Sequence, residues 1–253
     1  MAKATRRNKY GWLRDLPDYR DKLYKDIEAP EVTPSTVLPA FVDLRPKCPP
    51  VYDQGQLGSC TANAIAGAIG FMEDGFVASR LFIYYNERVM EGTVKSDSGA
   101  QIRDGIKSVN QQGTCPEMIW PYKVSKFATK PPKQAYKSAA SDLVSVYLKV
   151  VGLQEMKTCL AAGFPFVFGF SVYDAFESDQ VAKTGVLNLP AATEQMVGGH
   201  AVLCVGYDDS FQRVIVRNSW GDTWGIAGYF TMPYTYIGNV NLANDMWTVR
   251  GNK

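Results

Sequence analysis

The chain predicts an α+β fold of two lobes, a helical lobe followed by a lobe built on an antiparallel, barrel-like sheet, with a cleft between them. Three observations predict it. From Cys60 to about Trp120, apolar residues recur at three- and four-residue spacing, the period of helices with a buried face. Beyond about residue 143, short β-branched and aromatic runs alternate with turn residues, which marks antiparallel strands. The 253 residues are 46% hydrophobic and 21% charged, the balance of an ordinary globular protein able to bury a sizeable core.

Taken in order, residues 1–38 form a polar leader in which Pro17, Pro30 and Pro34 break any long regular element. Its Tyr10, Trp12, Leu13, Leu16, Tyr19, Leu23 and Tyr24 are more apolar than a solvated tail needs, so the leader is expected to lie on the protein surface. Residues 39–138 make the helical lobe. It holds the segment after Cys60, "SRLFIYYNERVME" from Ser79, and "AQIRDGIKSVNQQG", which ends at a glycine stop, Gly113. "FATKPPKQAYKSAASD", from Phe127, reads as a polar crossover. Residues 139–253 make the β lobe, with strands in "LVSVYLKV", "PFVFGFSVY", "HAVLCVGYDD", "RVIVRNSWG" and "GYFTMPY", one near Trp247, and a short helix in "LQEMKTCLAAG".

Charge excludes some functions. There are 27 Lys+Arg against 25 Asp+Glu, a net charge of +2, and no basic stripe interleaved with aromatics, so nucleic acid is not an expected partner. No apolar run is long enough for a membrane span and the start lacks a secretory signal. A cytoplasmic, monomeric protein is therefore expected, with secretion by a non-classical route as the alternative. The five cysteines are too scattered for a disulfide scaffold, and a single histidine leaves no metal cluster; no cofactor is called for. Cys159 and Cys204 read as core thiols, while Cys48 and Cys115, each before a proline, stay open between a disulfide and two thiols.

The chemistry concentrates in "VYDQGQLGSCTANAIAGAIG", from Val51 to Gly70. Cys60 stands at the first turn of an apolar helix, where the helix dipole and unpaired N–H groups favour the thiolate. A cysteine nucleophile also needs a proton acceptor. His200 is the only histidine, at the head of the strand "HAVLCVGYDD". Asn218, in "RNSWGDTWG", is placed to hold the imidazole, with Trp220 and Trp224 shielding that bond. Gln54, on the glycine-rich loop, can join the Cys60 N–H as a donor to an oxyanion.

These segments resemble the papain-like cysteine proteases, in which Q-G-x-x-G-S-C carries the oxyanion glutamine and nucleophile, a His-Ala pair the base, and N-S-W-G the orienting asparagine and its tryptophan. His200 follows Cys60 by 140 residues (200 − 60 = 140), within the spacing of that family. The resemblance covers roughly residues 39 to 235. It implies a papain-like two-lobe fold, peptide or protein substrates, and Gln54, Cys60, His200 and Asn218 as the catalytic set. It further implies Gly58, Ser98, Gly99 and Trp220 along the substrate, and Gly169 and Gly199 at the floor of a pocket suited to a hydrophobic side chain two residues before the cut. Leu57 stands where the family has a cysteine, removing one family disulfide, and Thr61 replaces an aromatic residue. An exopeptidase built on extra histidines does not fit a chain with one.

Relatives are made as zymogens, so the leader is expected to cross and block the cleft, anchored by Trp12, Leu13, Leu16 or Tyr19, with removal near Leu38–Pro39 as the activating event. Two other readings share these motifs: acyl transfer to an amine by the same Cys-His-Asn site, and a catalytically silent binding protein.

Overall fold

The computed structural model describes residues 9–27, 37–141 and 144–251; the basic first residues and the middle of the leader lie outside them. In chain order the elements are β1 (Trp12–Leu13), α1 (Tyr24–Ile27), β2 (Phe41–Asp43), α2 (Cys60–Met72), α3 (Arg80–Glu91), β3 (Ala100–Gln101), α4 (Ile102–Gln112), α5 (Lys133–Ala139), β4 (Val146–Lys149), α6 (Gly152–Ala161), β5 (Phe166–Tyr173), α7 (Asp179–Thr184), β6 (Met196–Asp208), β7 (Arg213–Arg217), β8 (Tyr229–Pro233), α8 (Tyr234–Ile237) and β9 (Ala243–Arg250). The α+β expectation holds. Among the described residues the main sheet runs β4-β9-β5-β6-β7-β8, with β2 also on β6; the end strands β4 and β8 do not pair, so the sheet stays open instead of closing into a barrel.

Alternation along the strands builds two cores from one sheet. Ala201, Leu203 and Val205 of β6 join Val167 of β5 and Trp247 and Val249 of β9 against α2, α3 and α4. Val202 and Cys204 face the other way, with Phe166, Phe168 and Phe170, onto a core closed by α6 residues Met156, Cys159 and Leu160. The helical lobe thus shares its core with one face of the sheet.

Helix α2 is buried from Cys60 through Gly70, and its small residues let it approach the sheet closely: a Cβ on Gly67 would lie 3.3 Å from Arg217 Nε. Ser79 caps α3 through its side chain, and Gly92 and Gly113 end α3 and α4 with positive φ, which glycine adopts without strain.

Two stretches differ from expectation. The proline-interrupted crossover contains α5, whose Ala135 and Ala139 are buried one turn apart, because Pro131 and Pro132 precede the helix and leave its interior intact. Residues 41–43, read as part of the helical lobe, pair antiparallel with Gly206–Asp208 of β6, since β6 runs past the end of β5, whose pairing stops at Cys204, and offers free edge groups on that side. No disulfide joins any of the five cysteines; Cys48 Sγ meets the Leu44 carbonyl at 3.7 Å. No helix among the described residues is long and apolar enough to cross a membrane.

Candidate active site

Helix α2 carries Cys60 to the sheet beside His200. The thiol receives backbone hydrogen bonds from Ala201, the neighbour of His200, and from Gly11 of the leader. His200 lies within β6, paired with Phe170 of β5, and Asn218 directly follows the end of the neighbouring β7. Their contact is 2.8 Å between Nε2 and Oδ1. The same Oδ1 accepts the Ser219 N–H at 2.8 Å, which fixes the amide's orientation. Nε2 therefore carries the imidazole proton, and Nδ1, which has no hydrogen-bond partner among the described residues, is left as the acceptor. Trp220 stacks on His200 with centroids 5.0 Å apart and Trp224 packs edge-on against Trp220, keeping water from the Asn218 bond.

Gln54 is fully buried. Its Nε2 donates to the carbonyls of Lys9 at 3.0 Å and Leu57 at 2.9 Å, and its Oε1 accepts the Ser219 hydroxyl at 2.7 Å. Ser219 is a contact of Gln54 and Asn218 that motif reading passed over. It lies inside N-S-W-G, yet its role becomes visible only when residues 165 apart in sequence meet.

The leader fills the cleft. Trp12 and Leu13 pair parallel with Ala100 and Gln101, and the Ala100 N–H donates to the Gly11 carbonyl at 2.8 Å. Every glycine expected along the substrate faces this strand. A Cβ on Gly58 would lie 3.3 Å from the Tyr10 carbonyl oxygen, and one on Gly99 would overlap the Gly11 carbonyl at 2.1 Å. On Gly169 and Gly199 it would meet the Trp12 indole at 2.0 and 2.9 Å. The Ser98 hydroxyl donates to the Gly99 carbonyl at 3.0 Å. Tyr10 sets its ring edge-on to His200 at 6.0 Å and donates its hydroxyl to Glu177 at 2.6 Å.

Covering the cleft changes its electrostatics. Burial drives the Cys60 thiol up to about 12, against the Ala201 and Gly11 hydrogen bonds that favour its charged form. Burial also lowers His200 to about 4, against the opposing effect of Asn218. The thiolate expected from the helix N-terminus is thus overridden here: the resting pair is a thiol beside a neutral imidazole, because desolvation outweighs the helix dipole. Among the described residues no group of three or more His, Cys, Asp or Glu could hold a metal ion.

Two further acids border the leader. Asp97 accepts the Gly58 N–H and the Lys9 ammonium. Asp245, in the left-handed region at φ 58°, accepts the Trp12 indole N–H at 3.0 Å and the Asp15 N–H at 2.8 Å. Asp245 belongs to no motif, and only the folded leader reveals it.

A fold of α2 packed on an antiparallel sheet, with Cys60, His200, Asn218 and Gln54 converging between them, defines a cysteine protease of the papain class. The family model for papain family cysteine protease matches residues 38–249, and the chain belongs to that family. It is 42% identical to a peptidase C1-like protein of Acanthamoeba polyphaga mimivirus, over 99% of this chain and 89% of the relative. It is 31% identical to a cathepsin B-like protein of Giardia intestinalis, over 78% of this chain and 69% of that one. Among solved structures, xylellain, a cysteine protease from Xylella fastidiosa, superposes with a TM-score of 0.87 at 43% identity, with full coverage of both chains. Digestive procathepsin L2 from Tenebrio molitor superposes with a TM-score of 0.70 at 26% identity, over 90% of this chain and 72% of the other.

Proposed function

We propose that this protein cuts peptide bonds with Cys60 as nucleophile, His200 as base and then acid, Asn218 orienting the imidazole, and Gln54 with the Cys60 N–H receiving the oxyanion. The observation that carries this reading is the 2.8 Å bond between His200 Nε2 and Asn218 Oδ1, which leaves Nδ1 to accept the thiol proton. Sulfur then bonds the substrate carbonyl carbon, the C–N bond breaks, and His200 protonates the leaving amine. Water then attacks the thioester carbon with His200 again as base, the C–S bond breaks, and His200 returns the proton to the Cys60 sulfur. Gln54 supports this role, since its Nε2 already meets a carbonyl oxygen, that of Lys9, while Ser219 pins its other end.

The leader, on this reading, keeps the enzyme latent. The carbonyl at Gln54 belongs to Lys9, whereas the amide on the sulfur belongs to Gly11. The leader thus engages the oxyanion donor and the sulfur through two different residues, which supports occupation of the site without cleavage. Trp12 against Gly169 and Gly199 supports a pocket for a large hydrophobic side chain two residues before the scissile bond, and removal of the leader near Leu38–Pro39 is the activating step. The test places a site-specific protease sequence at Leu38 and measures fluorogenic peptide hydrolysis before and after cutting, with Cys60→Ser as control. Hydrolysis that rises on cutting and vanishes in the control is expected. Hydrolysis that survives Cys60→Ser overturns the catalytic assignment, and equal rates before and after cutting overturn the latency.

A further inference from the structure

Gln54 is held from two sides, and the catalytic scheme accounts for one of them. On the sheet side, the Ser219 carbonyl accepts the Gln54 N–H at 2.9 Å and the Ser219 hydroxyl donates to Oε1. On the helix side, the Tyr122 hydroxyl donates to the Gln54 carbonyl at 2.9 Å and lies 2.6 Å from the Ser59 hydroxyl. A carbonyl only accepts, and a phenol has one proton to give. Ser59 is therefore the donor to Tyr122. The Asn63 amide in turn donates to Ser59 Oγ at 3.0 Å and to the Ser59 carbonyl at 2.9 Å. The chain of bonds thus runs one way, from Asn63 through Ser59 and Tyr122 to Gln54, and bonds so linked polarise and strengthen one another.

The start of this chain is anchored. Arg80 pairs with Glu117 through two bonds, lies over the Tyr122 ring at 4.1 Å, and donates to Asn63 Oδ1 at 3.4 Å, which turns the amide nitrogen toward Ser59. Burial raises the Tyr122 hydroxyl above its ordinary value, so it stays a neutral donor. Ser59 stands at the N-cap of α2, yet its hydroxyl makes no cap bond, and the helix forgoes a stabilisation that serine there ordinarily supplies. What the diverted hydroxyl gains is a link between two particular places. Ser59 directly precedes Cys60, whose N–H is one oxyanion donor, and Gln54 carries the other. Two donors stabilise a developing oxyanion only when both are aimed in advance at the position it will occupy. We propose that Tyr122 is a positioning residue that sets the separation of Gln54 from the Cys60 N–H and so aligns the oxyanion site. This rests on the peptidase reading and adds to it a residue that belongs to none of the catalytic motifs.

The experiment uses the full chain cut at Leu38 after folding, with Tyr122→Phe, which keeps the ring over Arg80 and removes only the hydroxyl. Three measurements are compared: hydrolysis of a fluorogenic peptide, inhibition by a peptide aldehyde, whose tetrahedral adduct places an oxygen on both donors, and alkylation of Cys60 by iodoacetamide, which builds no charge on such an oxygen. In Tyr122→Phe, kcat is expected to fall about tenfold with KM little changed, and aldehyde binding to weaken by a similar factor. The pH profile of alkylation is expected to superimpose on that of the unaltered protein. Ser59→Ala breaks the chain at its other link and is expected to give the same split; it stands in for Tyr122→Phe should that variant fail to fold. An unchanged kcat overturns the proposal. So does alkylation that slows in step with hydrolysis, or failure of both variants to fold, either of which assigns the chain of bonds to holding α2. Absence of hydrolysis in the unaltered cut chain, in contrast, overturns the peptidase reading itself and the positioning role with it.

Discussion

The leader grips the protein in two stretches by different chemistry. Residues 9–13 lie in the cleft and use groups that a substrate needs: Gln54, the Cys60 thiol, the Ala100 amide and the Trp12 pocket. Residues 15–24 use a different set of groups, on α4, β4 and β9. Asp15 accepts the Trp247 indole N–H at 2.8 Å and the Arg103 N–H at 3.2 Å. Arg103 donates to the Leu16 carbonyl and pairs with Asp21 at 3.1 Å, and Lys149 pairs with Asp21 at 3.3 Å. On the latency proposed above, the first stretch competes with substrate directly, and the second holds it at high local concentration, so a passing peptide faces an intramolecular rival.

The strongest lever on this division is pH, through the junction where the two stretches meet. Burial, and then the charge of Asp245, raise Asp15 from 3.8 to about 7, against the Trp247 and Arg103 hydrogen bonds and the Arg103 charge. Burial raises Asp245 too, against Lys149 and Arg14; Glu91, raised to about 7 mainly by burial, also faces Asp15. An acid whose value is higher docked than undocked favours docking in its protonated form. Leader binding is therefore tightest near pH 4 and weakens as pH climbs to about 7, by up to about tenfold per unit for each proton released. The ratio of uncut to cut activity, which cancels the pH dependence of catalysis, should climb across that window and climb less steeply in Asp15→Asn. A ratio that falls toward neutrality reverses the argument.

Next in size is Trp12→Ala. Emptying the indole from between Gly169 and Gly199 removes about 2 kcal/mol of burial, so the uncut chain should gain roughly thirtyfold in hydrolysis. A gain below about twofold would assign the grip to residues 15–24 alone. On the cut enzyme, Ser219→Ala should lower kcat by about tenfold with KM little changed, because Gln54 Oε1 loses a buried partner and its Nε2 is held less firmly. An unchanged kcat removes Ser219 from the positioning of Gln54.

How much of this was legible in the sequence follows from how each part is encoded. Cys60, His200, Asn218 and Gln54 each sit in a contiguous motif whose local structure is a helix start, a strand head or a loop, and the structure brings all four together. The helices with Ser79, Gly92 and Gly113 at their ends were legible for the same reason. Ser219, Asp97 and Asp245 act through partners 165, 88 and 233 residues away, and no spacing rule spans such distances. The Cys60 thiolate was misjudged because its state depends on whether Gly11 and Tyr10 cover it, which is tertiary structure.

The smallest expected effect sharpens the comparison most. Lys9 pairs with Asp97, but its side chain is 51% exposed, and an ion pair with one end in water contributes only about 0.2–1 kcal/mol. Lys9→Met, which keeps most of the stem, should therefore raise hydrolysis by the uncut chain less than about fivefold. Added salt should raise the unaltered chain's rate by a similar margin and leave Lys9→Met unmoved, since salt screens exposed charges first. A rise in Lys9→Met as large as that in Trp12→Ala would mean that charge, and not the indole pocket, dominates the grip in the cleft.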